Sequence, residues 1–89
     1  MNLNNKKVIV TGAARGIGYE IAREFLKAGA NVALCSTTEE GSAKAKENLL
    51  KEFPEAKIYA QKTDVSKETE VQDFVSKVAA EFGTIDILV

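Results

Sequence analysis

The stretch VIVTGAARGIG, residues 8–18, runs a set of strand formers into a turn with glycine at positions 12, 16 and 18. The residues after it keep helical spacing, so the order is strand, glycine-rich turn, helix. Such a turn offers free backbone N–H groups and the positive end of the helix dipole just beyond the strand, where phosphate is favoured. Glycine permits φ > 0, and a missing Cβ lets a pyrophosphate approach the main chain. The spacing is G-x-x-x-G-x-G. It is not G-x-G-x-x-G, since Ala14 stands at the middle position, and it lacks the Gly-Lys-Ser/Thr that closes a P-loop. A tight β–α connection would also use such glycines. The order of elements around the turn favours the phosphates of a dinucleotide.

Outward from the turn, hydrophobic periodicity alternates between strand and helix. KVIVT (7–11), NVALCS (31–36), KIYAQKT (57–63) and IDILV (85–89) read as strands. The first, second and last are nearly continuous in apolar residues, as strands buried on both faces are. A first helix is predicted over about 16–28, with Ile17, Ile21, Ala22, Phe25 and Leu26 on one face and Gly29 as the stop. A second is predicted over about 38–53, with Leu49, Leu50 and Phe53 inward, ending before Pro54. A third carries Val71, Phe74, Val75, Val78, Ala79 and Phe82 at helical spacing, with Ser66 placed to cap it and Gly83 after it. Strict β-α alternation with short connections argues an α/β fold: a parallel sheet with helices on both faces and right-handed crossovers. The expected strand order is 3-2-1-4, with the first two helices on one face and the third on the other.

Composition removes several functions. A formal net charge of −1 gives no electrostatic reason for nucleic acid or an anionic membrane as partner. No apolar run approaches the roughly 20 residues of a membrane span. The start, MNLNNKKVIV, has no h-region and does not read as a signal peptide. With no histidine and one cysteine, Cys35, an internal disulfide, a zinc site or a Cys/His catalytic pair is not expected. Cys35, on a buried strand, reads as a small apolar filler.

TGAARGIG (11–18) resembles the cofactor loop of the short-chain dehydrogenase/reductase family, whose pattern is T-G-x-x-x-G-x-G. TDVS (63–66) and FGTIDILV (82–89) match further family elements in order, and the likeness is greatest to the bacterial 3-oxoacyl-(acyl-carrier-protein) reductases. The resemblance implies a Rossmann-type fold. It makes residues 1–89 the N-terminal part of one cofactor-binding domain, in a cytoplasmic homo-oligomer (dimer or tetramer) of fatty acid biosynthesis. It carries Thr11, Gly12, Gly16 and Gly18, with Ala13, Ala14, Arg15 and Ile17 between them, to the pyrophosphate loop, and Asp64 with Val65 to the adenine. Asp64 and Ser66 also read as cap residues of the third helix, and a carboxylate can do both. The family's catalytic asparagine, serine, tyrosine and lysine match segments C-terminal to IDILV. Neither Tyr19 nor Tyr59 has a lysine four residues on, where Arg23 and Thr63 stand. The implied activity is reduction of a 3-oxoacyl thioester or similar ketone by hydride transfer, with the 89 residues alone inactive. A stand-alone nucleotide-binding or interaction module is the alternative.

The cofactor is read from the end of the second strand. An NAD site places an acid there for the ribose 2′-hydroxyl. Here stand Cys35, Ser36 and Thr37, whose hydroxyls accommodate a 2′-phosphate, and Arg15 suits the same group. Glu39 and Glu40 lie near the distance expected of the NAD acid. They also read as helix-start residues, with Thr37 and Glu40 as a capping box. NADP(H) is preferred over NAD(H).

Overall fold

The apolar runs do become strands. In a computed structural model, which describes residues 2–14 and 16–89, β1 (Lys7–Val10), β2 (Asn31–Ser36), β3 (Ile58–Lys62) and β4 (Ile87–Leu88) alternate with α1 (Gly16–Lys27), α2 (Glu39–Glu52) and α3 (Glu68–Phe82). The strands form one sheet in the order β3-β2-β1-β4, parallel at every pairing. Val8 lies opposite Val32 on one side and Ile87 on the other. The expected order and direction are both present.

Side chains alternate across a strand, so an unbroken apolar run needs a cover on each face. Val8, Val10, Val32 and Leu34 pack with Ala22 and Leu26 of α1 and Ala45 and Leu49 of α2. Ile9, Ala33 and Cys35 face the other way, onto Phe74 and Val78 of α3. Each fully buried leucine stabilises by about 1.5–3 kcal/mol relative to exposure. Arg23 of α1 reaches Glu52 of α2 through Nε at 2.9 Å and a second nitrogen at 2.9 Å, tying the two helices at their solvent side.

Four local expectations are corrected. The cap of α2 is Thr38, not Thr37: its backbone is extended (φ −126°, ψ 147°) and its Oγ1 accepts from the Gly41 amide at 3.0 Å. Glu39 and Glu40 do occupy the first turn. Ser66 does not cap α3, because it stands one residue before the cap position; its amide and hydroxyl both donate to Asp64 Oδ1, at 3.0 and 2.6 Å. The cap position falls on Lys67, which makes no side-chain cap bond. Ile17 is 80% exposed, since the ridge Gly18-Ala22-Leu26 faces the sheet and the neighbouring ridge only flanks it. On α3, Val75 and Ala79 are likewise exposed while Phe74 and Val78 are buried.

Candidate dinucleotide-binding site

A parallel sheet brings all its carboxyl ends to one edge, and every candidate residue follows one of those ends. The turn after β1 is held from both sides. The Ala13 amide donates to the Cys35 carbonyl at 3.1 Å, on β2. The Thr11 amide and hydroxyl both donate to the Val89 carbonyl at 3.1 Å, while the Val89 amide donates to Ile9 at 2.8 Å. The turn therefore sits where β1 and β4 meet, between β2 and β4.

The three glycines serve two purposes. Gly12 (φ +62°) and Gly16 (φ +66°) adopt left-handed backbone, and a Cβ on either would meet no atom within 4 Å. Their missing side chains leave open space on the outer side of the turn. Gly18 differs: its Cβ would clash with the Gly12 carbonyl oxygen, with the carbonyl carbon at 2.9 Å and Ala13 Cα at 3.2 Å. Gly18 lets α1 pack down on the turn, whereas Gly12 and Gly16 border open space among the described residues. Ala13 is buried and Ala14 half-buried. Arg15 lies outside the described residues.

The helix starts are electrostatically unlike one another. α2 has Glu39 and Glu40 in its first turn and α3 has Glu68 and Glu70, whereas the first turn of α1 has no acidic residue. Carboxylates in the first turn partly offset the dipoles of α2 and α3, and α1 has none there.

At the end of β2, Ser36 is buried and Thr37 exposed. The Ser36 hydroxyl lies 2.8 Å from the Thr38 carbonyl and 2.8 Å from the Ser42 hydroxyl, so it is engaged within the fold. Thr37, next in the chain, is the exposed hydroxyl residue there. After β3, Asp64 takes both Ser66 bonds on Oδ1, and these, the hydroxyl first, hold its carboxyl below the usual range. Its amide is met by Glu70 Oε1 at 2.9 Å. Val65 is 57% exposed beside it. Thr63 just before is buried, its amide on the Ser36 carbonyl at 2.8 Å, and its hydroxyl has no partner among the described residues.

Burial pushes the Cys35 thiol up, opposed by the nearby Gly12 amide. Tyr59 stacks on Phe74 with centroids 6.3 Å apart and donates to Gln61 Oε1 at 2.6 Å. An apolar groove runs along the outer side of α1 between Leu3, Ile17, Ile21 and Phe25 and reaches Gly16 at the turn. Among the described residues no three His, Cys, Asp or Glu side chains gather to hold a metal, and no helix is long and apolar enough to cross a membrane. Pattern reading missed the Cys35 and Val89 carbonyls and Ser42. Carbonyls carry no residue-type signal, and a serine inside a helix resembles solvated surface.

A parallel sheet in the order β3-β2-β1-β4, covered by helices and carrying a glycine turn at its carboxyl edge, defines a Rossmann-type fold. The model of the family described as short chain dehydrogenase matches residues 6–89, and the chain belongs to that family. It is 42% identical over 87 residues to the 3-oxoacyl-(acyl-carrier-protein) reductase of Chlamydia muridarum, covering 98% of this chain and 35% of that protein. It is 39% identical over 89 residues to 15-hydroxyprostaglandin dehydrogenase (NAD+) of Bos taurus, covering 100% of this chain and 34% of that one. The crystal structure of levodione reductase superposes with a TM-score of 0.90 at 29% identity, over 96% of this chain and 33% of the other. The chain thus spans about a third of the length of these relatives.

Proposed function

We propose that the chain is the dinucleotide-binding part of an NADPH-dependent reductase acting on a 3-oxoacyl thioester or similar ketone. The observation that carries this is the start of α1, a helix terminus without an acid, entered through a turn whose Gly12 and Gly16 leave open space. Thr11, Gly12, Gly16 and Gly18 would hold the pyrophosphate, with Ala13, Ala14 and Ile17 between them, and the Arg15 guanidinium would serve the 2′-phosphate. Asp64 has Oδ2 unengaged among the described residues, and with Val65 would meet the adenine. The bound dinucleotide supplies the hydride. These residues bind and orient it, and the groups that move protons at the substrate lie outside the 89. The thioester substrate is supported by likeness to the chlamydial reductase. The full protein is proposed as a cytoplasmic homo-oligomer, on family resemblance.

NADP is preferred because Ser36 ends β2 and Thr37 follows it with no carboxylate between, and the hydroxyl of the exposed Thr37 can donate to a 2′-phosphate. Glu39 and Glu40 in the first turn of α2 favour NAD as the second reading, which the bovine relative's named cofactor also supports. Calorimetry with adenosine 2′,5′-bisphosphate and with ADP separates the two, since it reads the adenosine half of the site alone. Tighter binding of the 2′-phosphate is expected; preference for ADP would favour NAD.

A further inference from the structure

The ends of β2 and β3 and the start of α2 meet in a buried knot of hydroxyls. Ser36 is 7% exposed and Ser42 2%. Their oxygens are 2.8 Å apart; Ser36 Oγ also reaches the Thr38 carbonyl at 2.8 Å, and Ser42 Oγ the Gln61 carbonyl at 3.1 Å. Two hydroxyl protons can make two of these three contacts at a time, so whichever serine donates to the other gives up its own carbonyl. The knot fixes the first turn of α2 to both strands. That turn is also packed against the glycine turn: a Cβ on Gly41 would meet Thr38 Oγ1 at 2.8 Å, Ser36 Oγ at 3.2 Å and Ala14 Cβ at 3.4 Å.

We propose that the Ser36–Ser42 hydroxyl pair is a positioning device that sets cofactor preference by fixing the α2 start against the glycine turn. The inference rests on the dinucleotide reading above and deepens it. Thr37 lies between the strand and the helix that the pair joins, and Glu39 and Glu40 ride on the helix turn it anchors. A 2′-phosphate draws on several donors held together, so it loses more when they loosen than a ribose hydroxyl does. The pair acts from behind the site, without touching the ligand.

The test is NADP+ and NAD+ affinity in the full-length protein carrying Ser42→Ala, Ser36→Ala or both, with Ala45→Gly as a control deeper in α2. Ser42→Ala is expected to lower the NADP+:NAD+ affinity ratio by about threefold or more, as loss of one hydrogen bond implies. Ser36→Ala moves it the same way, and the double variant is less than additive because both changes break one link. Ala45→Gly lowers the thermal midpoint and leaves the ratio alone. A ratio unmoved in both serine variants, or moved equally by Ala45→Gly, overturns the proposal. Failure of the unmodified protein to bind either dinucleotide overturns the proposed function, and this inference with it.

Discussion

The Cβ that Gly18 lacks would clash with the carbonyl oxygen of Gly12, so the second and last residues of the turn motif pack backbone to backbone across it. The two glycines are interdependent for different reasons: Gly12 turns the chain through φ +62°, and Gly18 admits the carbonyl that this turn presents.

Gly18→Ala therefore forces backbone apart and is expected to cost about 1–3 kcal/mol, as overpacking does. Gly16→Ala meets no atom but must hold φ +66°, at about 1–2 kcal/mol. Its methyl would stand on the open side of the turn. Denaturant unfolding and NADPH titration together should show Gly18→Ala losing mainly stability and Gly16→Ala losing more affinity than its stability explains. The reverse pattern would move the ligand to the other side of the turn.

Thr37 and Thr38 are adjacent hydroxyls with separate roles. Thr38→Ala removes the α2 cap and should destabilise by about 1 kcal/mol, within the range measured for caps. Thr37→Ala should leave unfolding unchanged while weakening NADP(H). Urea midpoints for the two variants check this, and equal midpoints would contradict the cap assignment.

Asp64 and Glu52 both have carboxyls held below their ordinary range, Asp64 chiefly by the Ser66 hydroxyl and Glu52 chiefly by the Arg23 side-chain hydrogen bond. A folded pKa below the unfolded one makes the stabilising contribution complete above the unfolded value, about 4 for these groups. It is lost as pH falls through that value to the depressed folded one. Thermal midpoints should fall across this acid range, with a shallower slope in Asp64→Asn. An unchanged slope would remove Asp64 from the linkage. Salt should weaken the Glu52 part, since Arg23 and Glu52 face solvent.

β4 is the outer strand beside β1, with Leu88 71% and Val89 43% exposed. An apolar strand with a free edge templates pairing with other chains. The isolated 89-residue chain is expected to self-associate at tens of micromolar, and Leu88→Lys to reduce this. Sedimentation that finds a cooperatively folded monomer would show the edge to be protected.

The fold was legible because Val8 to Val10 and Val32 to Cys35 are unbroken apolar runs between helical stripes, and a run buried on both faces admits few arrangements. Detail at the helix ends was not. Thr37 and Thr38 offer the same hydroxyl, and backbone geometry chose between them. Ser66 offers a capping hydroxyl, but the backbone sets the cap one residue later, at Lys67, and Ser66 gives its two donors to Asp64. Ile17 lies on an apolar stripe wider than the surface that covers it. The glycine motif located the turn, but only contacts distinguish Gly18, which packs against the protein, from Gly12 and Gly16, which leave space. Ser42 gave no signal because its partners, Ser36 and the Gln61 carbonyl, come from other elements.

The central claim, that this turn receives the phosphates of NADP(H), is tested most directly by titrating the full-length protein and its Arg15→Ala variant with NADPH and NADH. A charge-assisted contact is worth about 1.5–3 kcal/mol, or roughly ten- to over a hundredfold in affinity. The account predicts tighter NADPH binding in the unmodified protein, and an Arg15→Ala loss confined largely to NADPH. Equal loss for both cofactors, or an unmodified protein that prefers NADH, would contradict it.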